Sequence, residues 1–449
     1  TVFRAPLEIA DGQATISWLN NDKGFQLDGR NIDVKAKAVH ARGGFRYLQP
    51  ANDEPWLGIL AGISTDDGSQ AWRYFPENLM GKDLVDYLSG AIQGGEADNA
   101  TLVYGGNPQL FPYKHNEGQF EVLVPLRNAK FAFQPNWPAL TNLDIELDFI
   151  NDGLWMKTDG VNLGGVRASN LTAVIPDYSK EKLLIDADIK GPGKAVGPYF
   201  DETPLKDSLG ATLQELQLDG DVNARLHLDI PLNGELVTAK GEVTLRNNSL
   251  FIKPLDSTLK NLSGKFSFIN GDLQSEPLTA SWFNQPLNVD FSTKEGAKAY
   301  QVAVNLNGNW QPAKTGVLPE AVNEALSGSV AWDGKVGIDL PYHAGATYNV
   351  ELNGDLNNVS SHLPSPLAKP AGEPLAVNVK VDGNLNSFEL TGQAGADNHF
   401  NSRWLLGQKL KLDRAIWAAD SKTLPPLPEQ SGVELNMPPM NGAEWLALF

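Results

Sequence analysis

The side chains of this 449-residue sequence that could do chemistry are six histidines, 54 carboxylates and 11 tryptophans, with no cysteine. The histidines are His40, His115, His227, His343, His362 and His399, and no two lie within 15 residues of each other. A metal site built on them would have to be assembled entirely by folding, so solvated or locally bonded imidazoles are the expectation, and no metal or cofactor is implied. Asp219-Gly220-Asp221-Val222-Asn223 has the look of a calcium loop. Ala224 stands where that loop needs glycine and Ile230 where it needs glutamate, which leaves a hairpin turn. Gly191-Pro192-Gly193-Lys194 has the glycines and lysine of a phosphate loop, yet Ala195 replaces the Ser or Thr that would ligate magnesium. No Gly-x-Ser-x-Gly elbow occurs.

Carboxylate pairs could cleave glycosidic bonds and tryptophans could stack on sugars. The acids, however, alternate with apolar residues, as Asp144, Glu146 and Asp148 do around Ile145 and Leu147, which is how the wet face of a sheet reads. No catalytic residue is assigned, and the chain is read as a non-enzyme. Lys and Arg number 36, which leaves a net charge of −18 with no basic run, the wrong sign for nucleic acid. Without cysteine there is no disulfide, thiolate catalysis or Cys-based metal site. A hydrophobic content of 41% argues for folding over disorder. The longest nearly apolar run, Trp56 to Ile63, falls far short of the roughly 18 residues a membrane helix needs. The start at Thr1 and the apolar end Trp445-Leu446-Ala447-Leu448-Phe449 predict an excised piece whose anchor or address lies outside it.

The elements that must position any site are mostly strands. Period-two alternation recurs in Ile145 to Phe149, Ile185 to Ile189, Leu226 to Ile230, Val302 to Leu306 and Val377 to Val381. Thirteen Asn-Gly or Asp-Gly dipeptides, from Asp11-Gly12 to Asn441-Gly442, predict tight turns joining many of these strands into antiparallel sheet. Three short helices are expected, over Pro76 to Ile92, from Thr203-Pro204 to Leu209 and from Pro319 to Leu326, each closed by a glycine.

The helices recur at intervals of 121 and 117 residues, and sliding the chain on itself by 119 residues exposes a repeat. Leu126-Arg127-Asn128 falls on Leu245-Arg246-Asn247, Asn142-Leu143 on Asn261-Leu262, and Phe149-Ile150-Asn151 on Phe268-Ile269-Asn270. The period is too long for an ordinary solenoid, so each unit is a multi-strand section. Sections are expected at 76–199, 200–315 and 316–449, the last truncated, with 1–75 as the end of a preceding one.

The alternating apolar residues form a face that needs a cover. In successive sections it comprises Phe131, Phe133, Ile145, Leu147, Phe149, Ile185 and Ile189, then Leu226, Leu228, Ile230, Phe266, Phe268, Val302, Val304 and Leu306, then Val377, Val379 and Val381. Three short helices are too few to cover it, which leaves a closed sandwich core or a curved sheet with an apolar trough. Two further readings stay open at this point, a secreted carbohydrate-binding or carbohydrate-active β protein and a purely structural β-repeat scaffold.

Leu259-Lys260-Asn261-Leu262-Ser263-Gly264-Lys265-Phe266-Ser267-Phe268-Ile269-Asn270, followed by Pro277-Leu278-Thr279-Ala280 and Pro286-Leu287-Asn288-Val289, resembles the AsmA-like envelope proteins of Gram-negative bacteria. Tyr74 to Gly95, with Phe75-Pro76-Glu77-Asn78-Leu79-Met80, and the end, with Pro425-Pro426-Leu427-Pro428 before Leu435-Asn436-Met437-Pro438 and Trp445, share the resemblance. It implies a long, twisted antiparallel sheet folded lengthwise into a hydrophobic groove, in a periplasmic protein anchored in the inner membrane through a segment outside this one. Phospholipids would then be the partners, their acyl chains lying on the apolar residues named above as they move toward the outer membrane. This chain would be a middle segment of that conduit.

Overall fold

β-Branched and aromatic residues at every second position favour the pleated conformation and leave one apolar and one polar face. The computed structural model describes residues 3–407 and 409–447. Thr1, Leu448 and Phe449, on which part of the reading of the chain ends rests, lie outside them. The fold is mainly β: 25 strands belong to a long, largely antiparallel sheet with few short helices, and a separate pair forms a two-stranded sheet. The chain divides into two units. The first runs through Gly191 and includes Glu202–Pro204 and Asn223–Gly241; the second holds Pro192–Asp201, Leu205–Val222 and the chain from Glu242 onward.

The first unit carries β1 (Ile9–Asn21), β2 (Gly24–Ala36), β3 (Val39–Pro50), β4 (Trp56–Thr65), β5 (Ile92–Gly106), β6 (Gln119–Phe131), β7 (Leu140–Ile150), β8 (Gly153–Leu163), β9 (Val166–Ile175) and β10 (Lys182–Pro192). Each pairs antiparallel with the next. Register lines up the apolar side chains into rows, one of which runs Val124, Leu147, Met156, Ala173, Ile185 from β6 to β10. Two helices, α1 (Glu77–Met80) and α2 (Lys82–Ala91), contribute Met80, Leu84, Val85 and Leu88 to the buried cluster that holds Leu147, Met156 and Ile185. Burying each of these leucines fully is worth roughly 1.5–3 kcal/mol.

The expected single helix over Pro76 to Ile92 is thus two. Gly81, at φ 84°, ends α1 and opens α2, a left-handed position that glycine takes without strain. Nor does Gly90 close the second helix, which passes through it to Ala91 and stops where Ile92 becomes extended to begin β5. The expected helix from Thr203 starts later, as a π-type turn over Lys206–Gly210 with the Gly210 N–H bonded to the Leu205 carbonyl, then Ala211–Glu215. The third, Glu320–Ala325, follows Pro319 as expected.

β11 (Leu216–Asp219), β12 (Asp221–Pro231) and β13 (Thr238–Ile252) follow in the chain. The second unit continues through β14 (Ser257–Ile269), β15 (Asp272–Ser275), β16 (Leu278–Trp282), β17 (Gln285–Glu295) and β18 (Ala299–Trp310). It is completed by β19 (Leu326–Gly328), β20 (Val330–Pro341), β21 (Thr347–Asp355), β22 (Val359–Ser361), β23 (Ala376–Asn384), β24 (Ser387–Ala394), β25 (Asn398–Leu405), β26 (Lys411–Ala418) and β27 (Gly432–Asn436). β19 and β22 make the small sheet, and β27 joins β26 in parallel.

The 119-residue repeat has a backbone signature. Asn128, Asn142 and Asn151 have φ of 48°, 51° and 49°, and their counterparts Asn247, Asn261 and Asn270 have 55°, 53° and 53°. At the first of these positions the backbone N–H is held from across the ladder, by Asp144 Oδ1 for Asn128 and by Ser263 Oγ for Asn247, and Asp144 and Ser263 are themselves repeat partners.

The Asn-Gly and Asp-Gly signals divide. Asp219-Gly220, Asn233-Gly234 and Asn270-Gly271 stand between strands, but Asp28-Gly29, Asp333-Gly334 and Asp382-Gly383 lie inside β2, β20 and β23. Space is the reason: Phe45 faces Gly29 and Tyr348 faces Gly383 directly across the ladder, and a Cβ on Gly383 would stand 2.5 Å from the Tyr348 ring.

Candidate functional site

The sequence-selected apolar residues fall into two environments. In the first unit Phe131, Ile145, Leu147, Ile185 and Ile230 are buried in the cluster that includes α2, with Phe133, Phe149, Ile189 and Leu228 packed partly buried against it. Leu226 is half-buried. A helix therefore covers this stretch, where the sequence reading counted the helices as too few to do so. Its amphipathic stripe Leu84, Val85, Leu88 supplies that cover.

In the second unit the register brings Val302, Val304, Leu306, Val377, Val379 and Val381 to one face and adds residues the sequence reading passed over. One row runs Phe291, Val304, Val336, Val350, Val381, Leu390. The next runs Val289, Leu306, Gly334, Leu352, Val379, Gly392, Phe400, Trp417. Phe266 joins this face through its ring, 5.5 Å from that of Phe291. Phe268 shares its side of β14 by alternation. Val350-Glu351-Leu352 and Phe388-Glu389-Leu390 carry the period-two signal that would have found Val350, Leu352 and Leu390 among the added residues.

This face is half open. Val289, Val302, Leu306 and Val336 are buried, whereas Val304, Val350, Leu352, Val377, Val379, Val381, Leu390 and Phe400 are neither buried nor exposed. A strip of β-branched residues in that state forms a continuous apolar surface with water still against it. The opposite face of the same strands is polar and laced by cross-strand contacts. Asn305 donates to Asp290 at 2.7 Å, Asn378 to Asn353 at 2.7 Å, and Lys380 lies 3.6 Å from Glu351. A shallow cleft of about 780 Å³ is lined by Ser267, Gln274, Ser292, Lys294 and Gln301 together with Phe268 and Val302.

Tyrosines close one end of the strip. Tyr300 is buried, its hydroxyl donates to the Gly271 carbonyl at 2.7 Å, and burial pushes its pKa up to about 12. Aromatic rings gather at the other end, where Trp282, Phe283 and Trp310 are in mutual contact and Trp332 meets Trp310. Two of the histidines make local side-chain bonds, His40 to Asp33 at 2.7 Å and His227 to Asp186 at 2.9 Å, whereas His399 is buried with its Nε2 unpartnered among the described residues. Among the described residues no group of three or more His, Asp or Glu could hold a metal, and no helix is long and apolar enough to cross a membrane. What the strip offers is a surface for apolar chains.

A family profile described as "YhdP protein" matches residues 1–449. The chain is 99% identical over all 449 residues to the intermembrane phospholipid transporter YhdP of Escherichia coli (strain K12), and it spans 36% of that protein's length. No solved structure matches it.

Proposed function

Because the chain belongs to the YhdP protein family, we propose that it forms a stretch of an apolar path along which phospholipids pass between the inner and outer membranes of a Gram-negative envelope. The half-open apolar strip of the second unit carries this reading. Its lining is Phe266, Phe268, Val302, Val304, Leu306, Val377, Val379 and Val381, with the row-mates named above. The residues beneath α2 would line the path only where that helix leaves them uncovered. The sections at 76–199, 200–315 and 316–449 would be repeated lengths of the path.

The energetics favour such a surface. Exposing acyl chains to water costs roughly 0.8 kcal/mol per methylene, so a lipid with two 16-carbon chains crossing unaided meets a barrier on the order of 25 kcal/mol. A strip that replaces water along the whole route removes most of it, and strands about 4.8 Å apart renew the contact at every step. No bond is made or broken, so no catalytic group is required. The location is periplasmic, with anchoring to the inner membrane supplied by chain outside this segment.

The test is native mass spectrometry, with organic extraction, of the chain purified from a bacterial host without detergent. Several phospholipids bound per chain are expected. A stably folded, lipid-free chain would overturn the proposal and favour a closed core.

A further inference from the structure

The apolar strip of the second unit ends, on one side, in an aromatic cluster. Alternation along β18 carries the lipid-facing side from Leu306 through Gly308 to Trp310, and Trp332 stands directly across from Gly308. The ring centroids of Trp310 and Trp332 are 4.7 Å apart at 70°. Trp282 stacks on Phe283 at 4.8 Å, and both lie edge-on to Trp310, at 6.2 and 6.3 Å.

Two features set this cluster apart from ordinary packing. The indole N–H of Trp282 donates to Ser257 Oγ at 2.6 Å and that of Trp310 to the Pro286 carbonyl at 2.7 Å, so these rings offer π faces and no donor to a ligand. Phe283 occupies the first central position of the tight β16–β17 turn at φ 45°, with Asn284 following at 59°. Gly, Asn and Asp take such positions without strain; a phenylalanine does not. It is also 38% exposed, so burial does not account for it there. A large ring held in a strained turn, half in water and stacked on tryptophan, points to a role outside folding.

We propose that the cluster of Trp282, Phe283, Trp310 and Trp332 is a contact site for the ammonium group of an amine-bearing, zwitterionic phospholipid headgroup. The inference rests on the lipid path proposed above and gives it a headgroup preference. Acyl chains lie on the valine and leucine rows, which places the headgroup at the strand ends, where aromatic rings suit the boundary between apolar and wet surroundings. Cations are drawn to tryptophan and phenylalanine faces, whereas an anionic headgroup gains nothing from the faces of Trp282 and Trp310, whose donors are tied; Trp332 Nε1 has no partner among the described residues but is buried away from solvent.

The experiment titrates the delipidated chain with dihexanoyl phosphatidylethanolamine and dihexanoyl phosphatidylglycerol, both as monomers, followed by tryptophan fluorescence and native mass spectrometry. The ethanolamine lipid is expected to bind roughly two- to fivefold more tightly. Phe283→Gly, which suits the turn and so keeps the fold, and Trp310→Leu are expected to abolish that preference by weakening the ethanolamine lipid more than phosphatidylglycerol. Equal affinities in the parent chain, a preference that survives both substitutions, or an equal loss of both lipids would overturn the ammonium site. Failure of both lipids to bind the parent chain would instead overturn the lipid path itself.

Discussion

Asn142 and Asn261, 119 residues apart, hold the same left-handed backbone conformation, with φ of 51° and 53°. Each sits where the strand register slips, between Leu140 and Leu143 in β7 and between Lys260 and Ser263 in β14. An extra residue at a bulge bends the strand and increases its twist, so its recurrence at the repeat period imposes the same local bend in each copy. Asparagine tolerates this conformation where a β-branched residue does not. Asn142→Val and Asn261→Val should each cost about 1–2 kcal/mol in urea unfolding. The glycine replacements should stay within a few tenths of a kcal/mol of the parent. Equal stability of the valine and glycine variants would remove the bulge from the account of the repeat.

Period two was legible because it is local: Val302, Val304 and Leu306 need only their own strand to fall on one side. Asn128, Asn142 and Asn151 were legible as repeat marks because their backbone conformation restricts which residues fit. Cover was not legible, since it depends on where distant chain returns. Ile145 and Val379 look alike in sequence, yet one lies in the cluster with α2 and the other on a half-open strip. Gly29 and Gly383 misled as turn signals because what each needs is room for Phe45 or Tyr348 on the neighbouring strand. The aromatic cluster was invisible for a related reason: Trp282, Trp310 and Trp332 meet only through the pairing of β16 to β20.

A pH response is expected at Asp28. Its carboxylate accepts hydrogen bonds from Arg46 Nε at 2.8 Å and Gln26 Nε2 at 2.8 Å, and these hold its pKa below the usual carboxylate range, Arg46 first. Because folding lowers this pKa, its stabilisation is complete above the unfolded value of about 3.9 and is lost as pH falls through the folded one. Carbon-detected NMR titration should place the Asp28 midpoint below that reference. Arg46→Gln should move it upward, and an unmoved midpoint would show that Arg46 is not the cause.

Tyr300 responds in the opposite direction. Its buried hydroxyl bonds to the Gly271 carbonyl and lies 2.7 Å from Thr293 Oγ1, and burial raises its pKa to about 12. The neutral phenol is therefore the folded form, so its stabilisation is full below about pH 10, the unfolded value, and is lost as pH rises through the folded one. Tyr300→Phe should cost about 1 kcal/mol at neutral pH and should flatten the alkaline limb of the stability curve. An alkaline limb unchanged in the variant would assign that loss to other groups.

The contrast between covered and open stretches can be tested with one substitution in each unit. Leu88 is fully buried in α2, and Leu88→Ala should cost about 2–5 kcal/mol, because the lost methyl groups leave a cavity among Leu84, Leu147 and their neighbours. Val379 lies half-exposed between Leu352 and Gly392, so the carboxylate of Val379→Asp can keep its water. That variant should unfold within about 1.5 kcal/mol of the parent, as a substitution outside a packed core does, while the lipid recovered with it falls. If Val379→Asp is as destabilising as Leu88→Ala, the strip is closed core and offers acyl chains no surface. If its stability and its bound lipid both match the parent, the strip is open but does not carry the chains.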